Sequence, residues 1–290
     1  MSINEWKLAY LPWIGFNSVA EAVEPIARIG YDGIEIPALY LFPTTEELDK
    51  LANQVKSHGM VITQAGLSGD LVATDENAWR QTMDRIKGEI KRAGESSIKI
   101  VKMITGPAPW NPKAPKLGRD ISEGKAWELV VDGTNELMEV AEKHQVFVAI
   151  EACFGNLCRD YYTTKELLDR VGSKYLAINM DPSHYTLYGN DIGWVIRRFG
   201  DKIKHAHLKD VIGRPGEEGV DFMFPLLGEG TVNWKDFFRS MKSINFDGYM
   251  SIEFESLTYF KSILGGDGTK TAQLAYDDTR KLIAYRERAP

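Results

Sequence analysis

The chain has 290 residues, 43% of them hydrophobic, and its 41 acidic against 35 basic side chains leave a net charge of -6. Such a composition can bury one large core or two ordinary domains, and it excludes the clustered cationic surface that nucleic-acid binding requires. Cys153 and Cys158, the two cysteines, make no disulfide framework, and no apolar run reaches the roughly 20 residues that span a bilayer. Met1 to Lys7 has neither the basic nor the apolar part of a targeting segment. A soluble cytoplasmic protein with reduced thiols is expected, with a small molecule and neither nucleic acid nor membrane as its partner.

Strand-like and helix-like segments alternate from end to end. A strand is expected over 7–12 and a helix over 19–29, stopped by Gly30. Next come a strand over 32–38 and a helix over 44–58, which opens at Thr44-Thr45-Glu46-Glu47 and stops at Gly59. A strand over 60–65 precedes a helix over 76–93, and a strand over 98–105 precedes a long helix over 124–143. Four apolar strand-like runs follow at 146–151, 176–181, 203–207 and 249–253, with helices over 164–171, 192–199, 234–244 and 271–286. Strands too apolar to have a wet face, repeated in this way, predict parallel strands covered by helices. The economical closure is an α/β fold, a (β/α)8 TIM barrel forming a single domain over 1–290. Two inserts after strands, 106–115 and 213–230, are candidate lids.

Each of the last four runs ends in a metal-binding side chain, namely Glu151, Asp181, His207 and Glu253. Barrel enzymes assemble their sites at the C-terminal ends of the strands, so these four form a candidate divalent-cation site. Side chains on a strand alternate faces, which places Lys209 with His207 and Glu255 with Glu253. His184, three residues beyond Asp181 and after Pro182, is close enough to assist. Three carboxylates and one imidazole suit one Mn²⁺, Co²⁺, Mg²⁺ or Zn²⁺ ion, with Mn²⁺ preferred. Acting as a Lewis acid, it would polarise the carbonyl of a neutral polyol or hydroxyketone, and a carboxylate on either side of the neighbouring carbon could take and return its proton. His205 reads as a packed barrel histidine, and His58 and His144 as helix C-terminal groups. Trp13 and Trp110 are candidate pocket walls for a sugar.

Ile150-Glu151, Asp181-Pro-Ser-His184, His205-Ala-His207-Leu-Lys-Asp210, Pro225-Leu-Leu-Gly-Glu-Gly230 with Trp234, and Ile252-Glu253-Phe-Glu255 together resemble the xylose-isomerase-like superfamily. It contains sugar isomerases, tagatose and psicose 3-epimerases, inosose isomerases and dehydratases, and endonuclease IV barrels. The resemblance covers nearly the whole chain. It implies that Glu151, Asp181, His207 and Glu253 bind the metal, that Glu151 and Glu253 exchange the substrate proton, and that His184 and Arg214 hold substrate oxygens. The histidines of the endonucleases are missing at Gln64-Ala-Gly-Leu, Thr105-Gly-Pro-Ala and Val220-Asp-Phe-Met, which argues against DNA repair. Phe154-Gly155-Asn156 stands where the epimerases carry an acidic sugar-binding residue, so substrate identity does not transfer. The expected activity is isomerisation or epimerisation of a keto-sugar or keto-polyol through a metal-bound enediolate. The alternatives are a lyase or dehydratase of a keto-inositol or 3-keto-glycoside, the latter with a hetero-subunit as in a C-glycoside deglycosidase, and a non-catalytic sugar-binding barrel. Family habit implies a homo-oligomer.

Overall fold

A computed structural model describes residues 6–288. The elements run β1 (Lys7–Tyr10), α1 (Val19–Ile29), β2 (Gly33–Ile36), α2 (Thr45–Ser57), β3 (Val61–Gly66), α3 (Glu76–Glu95), β4 (Ile100–Met103) and α4 (Glu123–His144). Then follow β5 (Phe147–Glu151), α5 (Tyr161–Val171), β6 (Leu176–Met180), α6 (Pro182–Leu187), α7 (Ile192–Phe199) and β7 (Ile203–Leu208). The chain continues through β8 (Ile212–Gly213), β9 (Phe222–Met223), α8 (Trp234–Ser243), β10 (Tyr249–Ile252), α9 (Leu257–Ser262) and α10 (Gly268–Arg288). β1-β10-β7-β6-β5-β4-β3-β2 close into a barrel, and every neighbouring pair is parallel. The expected (β/α)8 architecture is therefore the observed one.

Local chemistry sets the element ends. The Thr44 hydroxyl accepts from the Glu47 N–H while the Glu47 carboxylate reaches back to the Thr44 N–H, a reciprocal cap that opens α2. Gly30 takes the left-handed conformation (φ 107°) that stops α1. α5 opens at Tyr161, three residues before the expected start, because Asp160 and Thr163 form another such cap.

The candidate lid over 213–230 carries secondary structure of its own. β8 and β9 form a two-stranded antiparallel hairpin, with Ile212 opposite Met223 and Gly213 opposite Phe222. Its return leg is tied down by Asp210. That carboxylate accepts from the Gly228, Gly230 and Val232 amides and from the Trp234 indole N–H at 2.8–3.1 Å. A Cβ on Gly230 would lie 2.1 Å from Asp210 Oδ1, so only glycine fits there. Trp234 is fully buried against Phe237 and Phe238, which fastens the hairpin to the helical shell. The short helices α6 and α9 were not expected, and both start just past strand ends that carry candidate ligands.

Candidate active site

Each expected ligand arrives on a different element. Glu151 ends β5, and Glu253 follows β10, where its N–H still donates to Leu208 O at 3.3 Å and continues the ladder. His207 lies inside β7, and Asp181 is the N-cap of α6, with Pro182 at the first helical position. The proline thus starts a helix. That cap orients the carboxylate. Asp181 Oδ1 accepts from the Ser183 N–H and hydroxyl at 2.9 and 2.6 Å, leaving Oδ2 buried, without a hydrogen bond, and turned to the centre. Lys209 Nζ is 3.0 Å from Oδ2 and His207 Nδ1 is 4.0 Å away, so this oxygen has an ion pair but no hydrogen bond.

His207 Nδ1 is the hub, at 2.7 Å from Glu151 and 3.2 Å from Glu253. One donor atom from each of Glu151, Asp181, His207 and Glu253 lies within 4.8 Å of the others. The orphaned Asp181 oxygen, the two glutamates and one imidazole nitrogen make a compact, oxygen-rich donor set of the kind that holds a hard or borderline divalent ion. These residues fit the ion expected of them.

Two lysines flank the cluster. Lys209, on the inward face with His207 as strand parity requires, lies 2.6 Å from Glu253 and 3.0 Å from Glu255. Lys102, within β4, lies 3.0 Å from Glu151 and 4.0 Å from Glu35. Burial alone would raise the carboxyl pKa values, but Lys102 and His207 beside Glu151, and Lys209 and His207 beside Glu253, hold both below the ordinary carboxylate range. Burial also disfavours charge on His207, yet Glu35, Glu151 and Glu253 outweigh it and push its pKa well up. Glu255 behaves differently. Burial raises it to about 7, against the pull of Lys209 and with the push of Glu253. His184 falls to about 4 through burial and the Lys209 charge, and it meets Lys209 Nζ at 3.2 Å as a neutral acceptor.

Beneath this cluster lies a second polar layer. Asn179 pairs in register with both Glu151 and His205, and its amide N–H donates to Glu151 Oε1 at 3.1 Å. Its oxygen therefore faces His205 Nδ1 at 2.8 Å, which must carry the hydrogen. His205 Nε2 is left to accept from Thr63 or Ser251, each at 3.2 Å. Burial lowers the His205 pKa to about 3, so the ring is neutral and its nitrogens are occupied. This is the packed histidine expected.

Above the cluster opens a cavity of about 510 Å³ lined in part by Trp13, Lys102, Trp110, Glu151, Phe154, His184, Lys209, Glu218, Glu253 and Glu255. Both expected tryptophans reach it, with the Trp13 indole anchored on Phe254 O at 3.0 Å. Phe154, Phe222 and Phe224 pack at 4.9–6.1 Å, and Phe154 and Phe224 cover His184. Arg214 requires a correction. Its side chain is 82% exposed, pairs with Asp221 at 3.2 Å within the hairpin, and is absent from the cavity wall. The antiparallel turn directs it outward, a geometry that loop position alone could not reveal. A groove of about 590 Å³ between α3 and α4 is larger than the cavity, but none of the clustered carboxylates or His207 lines it, and its Arg80 already pairs with Glu136. Cys153 and Cys158 are free and buried, and burial pushes the Cys158 thiol up to about 12.

Sequence reasoning missed Glu35 and Lys102. Each is a lone charge inside a short apolar strand, Gly33-Ile-Glu-Ile36 and Ile100-Val-Lys-Met103. That was the available signal, since a fully buried charge needs a partner.

The profile of the family described as xylose isomerase-like TIM barrel matches residues 23–278. An inosose dehydratase of Mesomycoplasma hyopneumoniae is 22% identical, over 97% of this chain and 94% of its own. A D-psicose 3-epimerase of Enterocloster bolteae is 24% identical, over 82% of this chain and 77% of its own. The IOLI protein, solved with a binding zinc atom, superposes with a TM-score of 0.76 at 20% identity, covering 98% of this chain and all of the other.

Proposed function

Because this chain belongs to the xylose isomerase-like TIM barrel family, we propose that it is a divalent-metal-dependent isomerase or epimerase of a keto-sugar or keto-polyol. The observation that carries this reading is the pair Glu151 and Glu253. These carboxylates, kept ionised by separate lysines, approach one centre from β5 and from the end of β10. A bound divalent ion, Mn²⁺ by preference, would be held by Glu151, Asp181, His207 and Glu253, and it supplies Lewis-acid polarisation of a carbonyl.

The chain's own residues account for the remaining chemistry. One glutamate takes the proton from the carbon beside the carbonyl, and the other returns a proton to that carbon or its neighbour. Lys209 and Lys102, donors held in place by their carboxylate partners, stabilise negative charge as it develops on the substrate oxygens. His184 orients a substrate hydroxyl, and Trp13 and Trp110 supply apolar faces for a sugar ring. Among the described residues no arginine lines the cavity, which favours an uncharged polyol over a phosphorylated one, since phosphate is best gripped bidentately.

Glu255 supports a second reading. A carboxyl lining the same cavity, with a pKa raised to about 7, is suited to protonating a departing hydroxyl, and that would make the enzyme a dehydratase of a keto-inositol. Incubating Mn²⁺-loaded protein in D2O with ketoses and inososes separates the two. Deuterium incorporated at the carbon beside the carbonyl, in the substrate or in an isomer of it and without loss of water, marks isomerisation, whereas a new conjugated-ketone absorbance marks elimination. Equal exchange by wild type and Glu253→Gln would take the base role from Glu253 in both readings, and no exchange by wild type would sink both.

A further inference from the structure

The strand ends account for Glu151, Asp181, His207 and Glu253, but Glu35 is fully buried within β2 and has no place among them. It reaches across the barrel interior to His207 Nε2, with its oxygens at 3.0 and 3.3 Å. Gln64 donates to Glu35 Oε1 at 3.1 Å from the adjacent β3. Glu35, His205 and His207 could also be read as a second cation site, because their donor atoms lie within 4.8 Å of one another. The hydrogen bonding excludes that. His205 spends Nδ1 on Asn179 and Nε2 on Thr63 or Ser251, so it has no lone pair free for an ion.

We propose that Glu35 is a positioning residue: it holds the Nε2–H of His207 so that the Nδ1 lone pair points at the metal cluster. An imidazole binds a metal through one nitrogen and keeps its hydrogen on the other, and the acceptor of that hydrogen sets both the tautomer and the ring angle. Here Nδ1 faces Glu151, Glu253 and Asp181 at 2.7, 3.2 and 4.0 Å, while Glu35 faces Nε2 at 3.0 Å. Gln64 keeps the carboxylate from rotating away. The inference rests on reading the cluster as a metal site.

The test compares Co²⁺ binding and the visible absorption of the Co²⁺ protein in wild type, Glu35→Gln and Glu35→Asp, with folding checked by circular dichroism. Glutamine keeps the reach to Nε2 and loses the charge; aspartate keeps the charge and loses the reach. Positioning predicts that Glu35→Gln retains the wild-type spectrum, while Glu35→Asp binds Co²⁺ about 10–100-fold more weakly with an altered spectrum. Glu35→Asp matching wild type in both, or outperforming Glu35→Gln, would overturn the inference in favour of a purely electrostatic role. Wild type failing to bind Co²⁺ at all would overturn the metal reading beneath it.

Discussion

His205 and His207 stand two residues apart on one face of β7, and both are fully buried, yet they belong to layers of opposite character. The His205 layer joins Asn179, Thr63 and Ser251 through neutral hydrogen bonds, and each ring nitrogen has its partner. The His207 layer gathers Glu35, Glu151, Asp181, Glu253, Lys102 and Lys209 and leaves an Asp181 oxygen without a hydrogen bond. A satisfied neutral network stiffens a barrel, whereas concentrated charge with an orphaned donor atom is expensive unless it does chemistry. One step along a strand separates support from reactivity.

The largest effect expected is on turnover. Glu151→Gln and Glu253→Gln keep size and one oxygen but remove the base, so each should lower kcat by about 10²–10⁴-fold while metal content by elemental analysis stays near that of wild type. Near-wild-type kcat in Glu253→Gln would move the base to Glu255 or His184. The next effect sets the two histidines directly against each other. His207→Ala should lose the metal, and chelation of wild type should likewise abolish activity that Mn²⁺ or Co²⁺ restores. His205→Ala should keep the metal but lose about 2–4 kcal/mol of stability in urea melts, because Asn179 and a hydroxyl are left unpaired. Equal metal loss in both variants would erase the distinction between the layers.

Acid should expose the neutral layer. With the folded pKa of His205 depressed to about 3 and that of His184 to about 4, against a usual value near 6.5, the unfolded chain binds more protons between those limits. The stability these neutral rings contribute is thus complete above about pH 6.5 and is lost as pH falls toward the folded values, with a slope up to about 1.4 kcal/mol per pH unit for each ring. A His205→Gln variant should show a shallower fall between pH 6.5 and 4 in chemical denaturation, and an unchanged slope would show that the ring is not held neutral. The smallest effect belongs to the hairpin. Arg214→Ala should change kcat and KM by less than about twofold, since an exposed ion pair contributes little; a tenfold rise in KM would return that arginine to the substrate.

Much of this molecule was legible in the sequence, because apolar run length, caps and glycine stops act locally. The alternating units predicted the barrel, and the polar residues ending Val146–Glu151, Leu176–Asp181, Ile203–His207 and Tyr249–Glu253 marked four of the groups that meet. Parity along β7 placed Lys209 beside His207. The supporting charges were decided elsewhere. Glu35 and Lys102 look like blemishes in apolar strands until pairing of β4 with β5 sets Lys102 beside Glu151 and closure of the ring brings β2 within reach of His207, contacts between residues 49 and 172 positions apart in the chain. Arg214 shows the converse: its position in the chain suggested the site, but an antiparallel turn of two short strands rotated it to solvent. Sequence patterns report which face of an element is buried; what a buried charge meets across the barrel depends on register and ring order, which exist only once the sheet has closed.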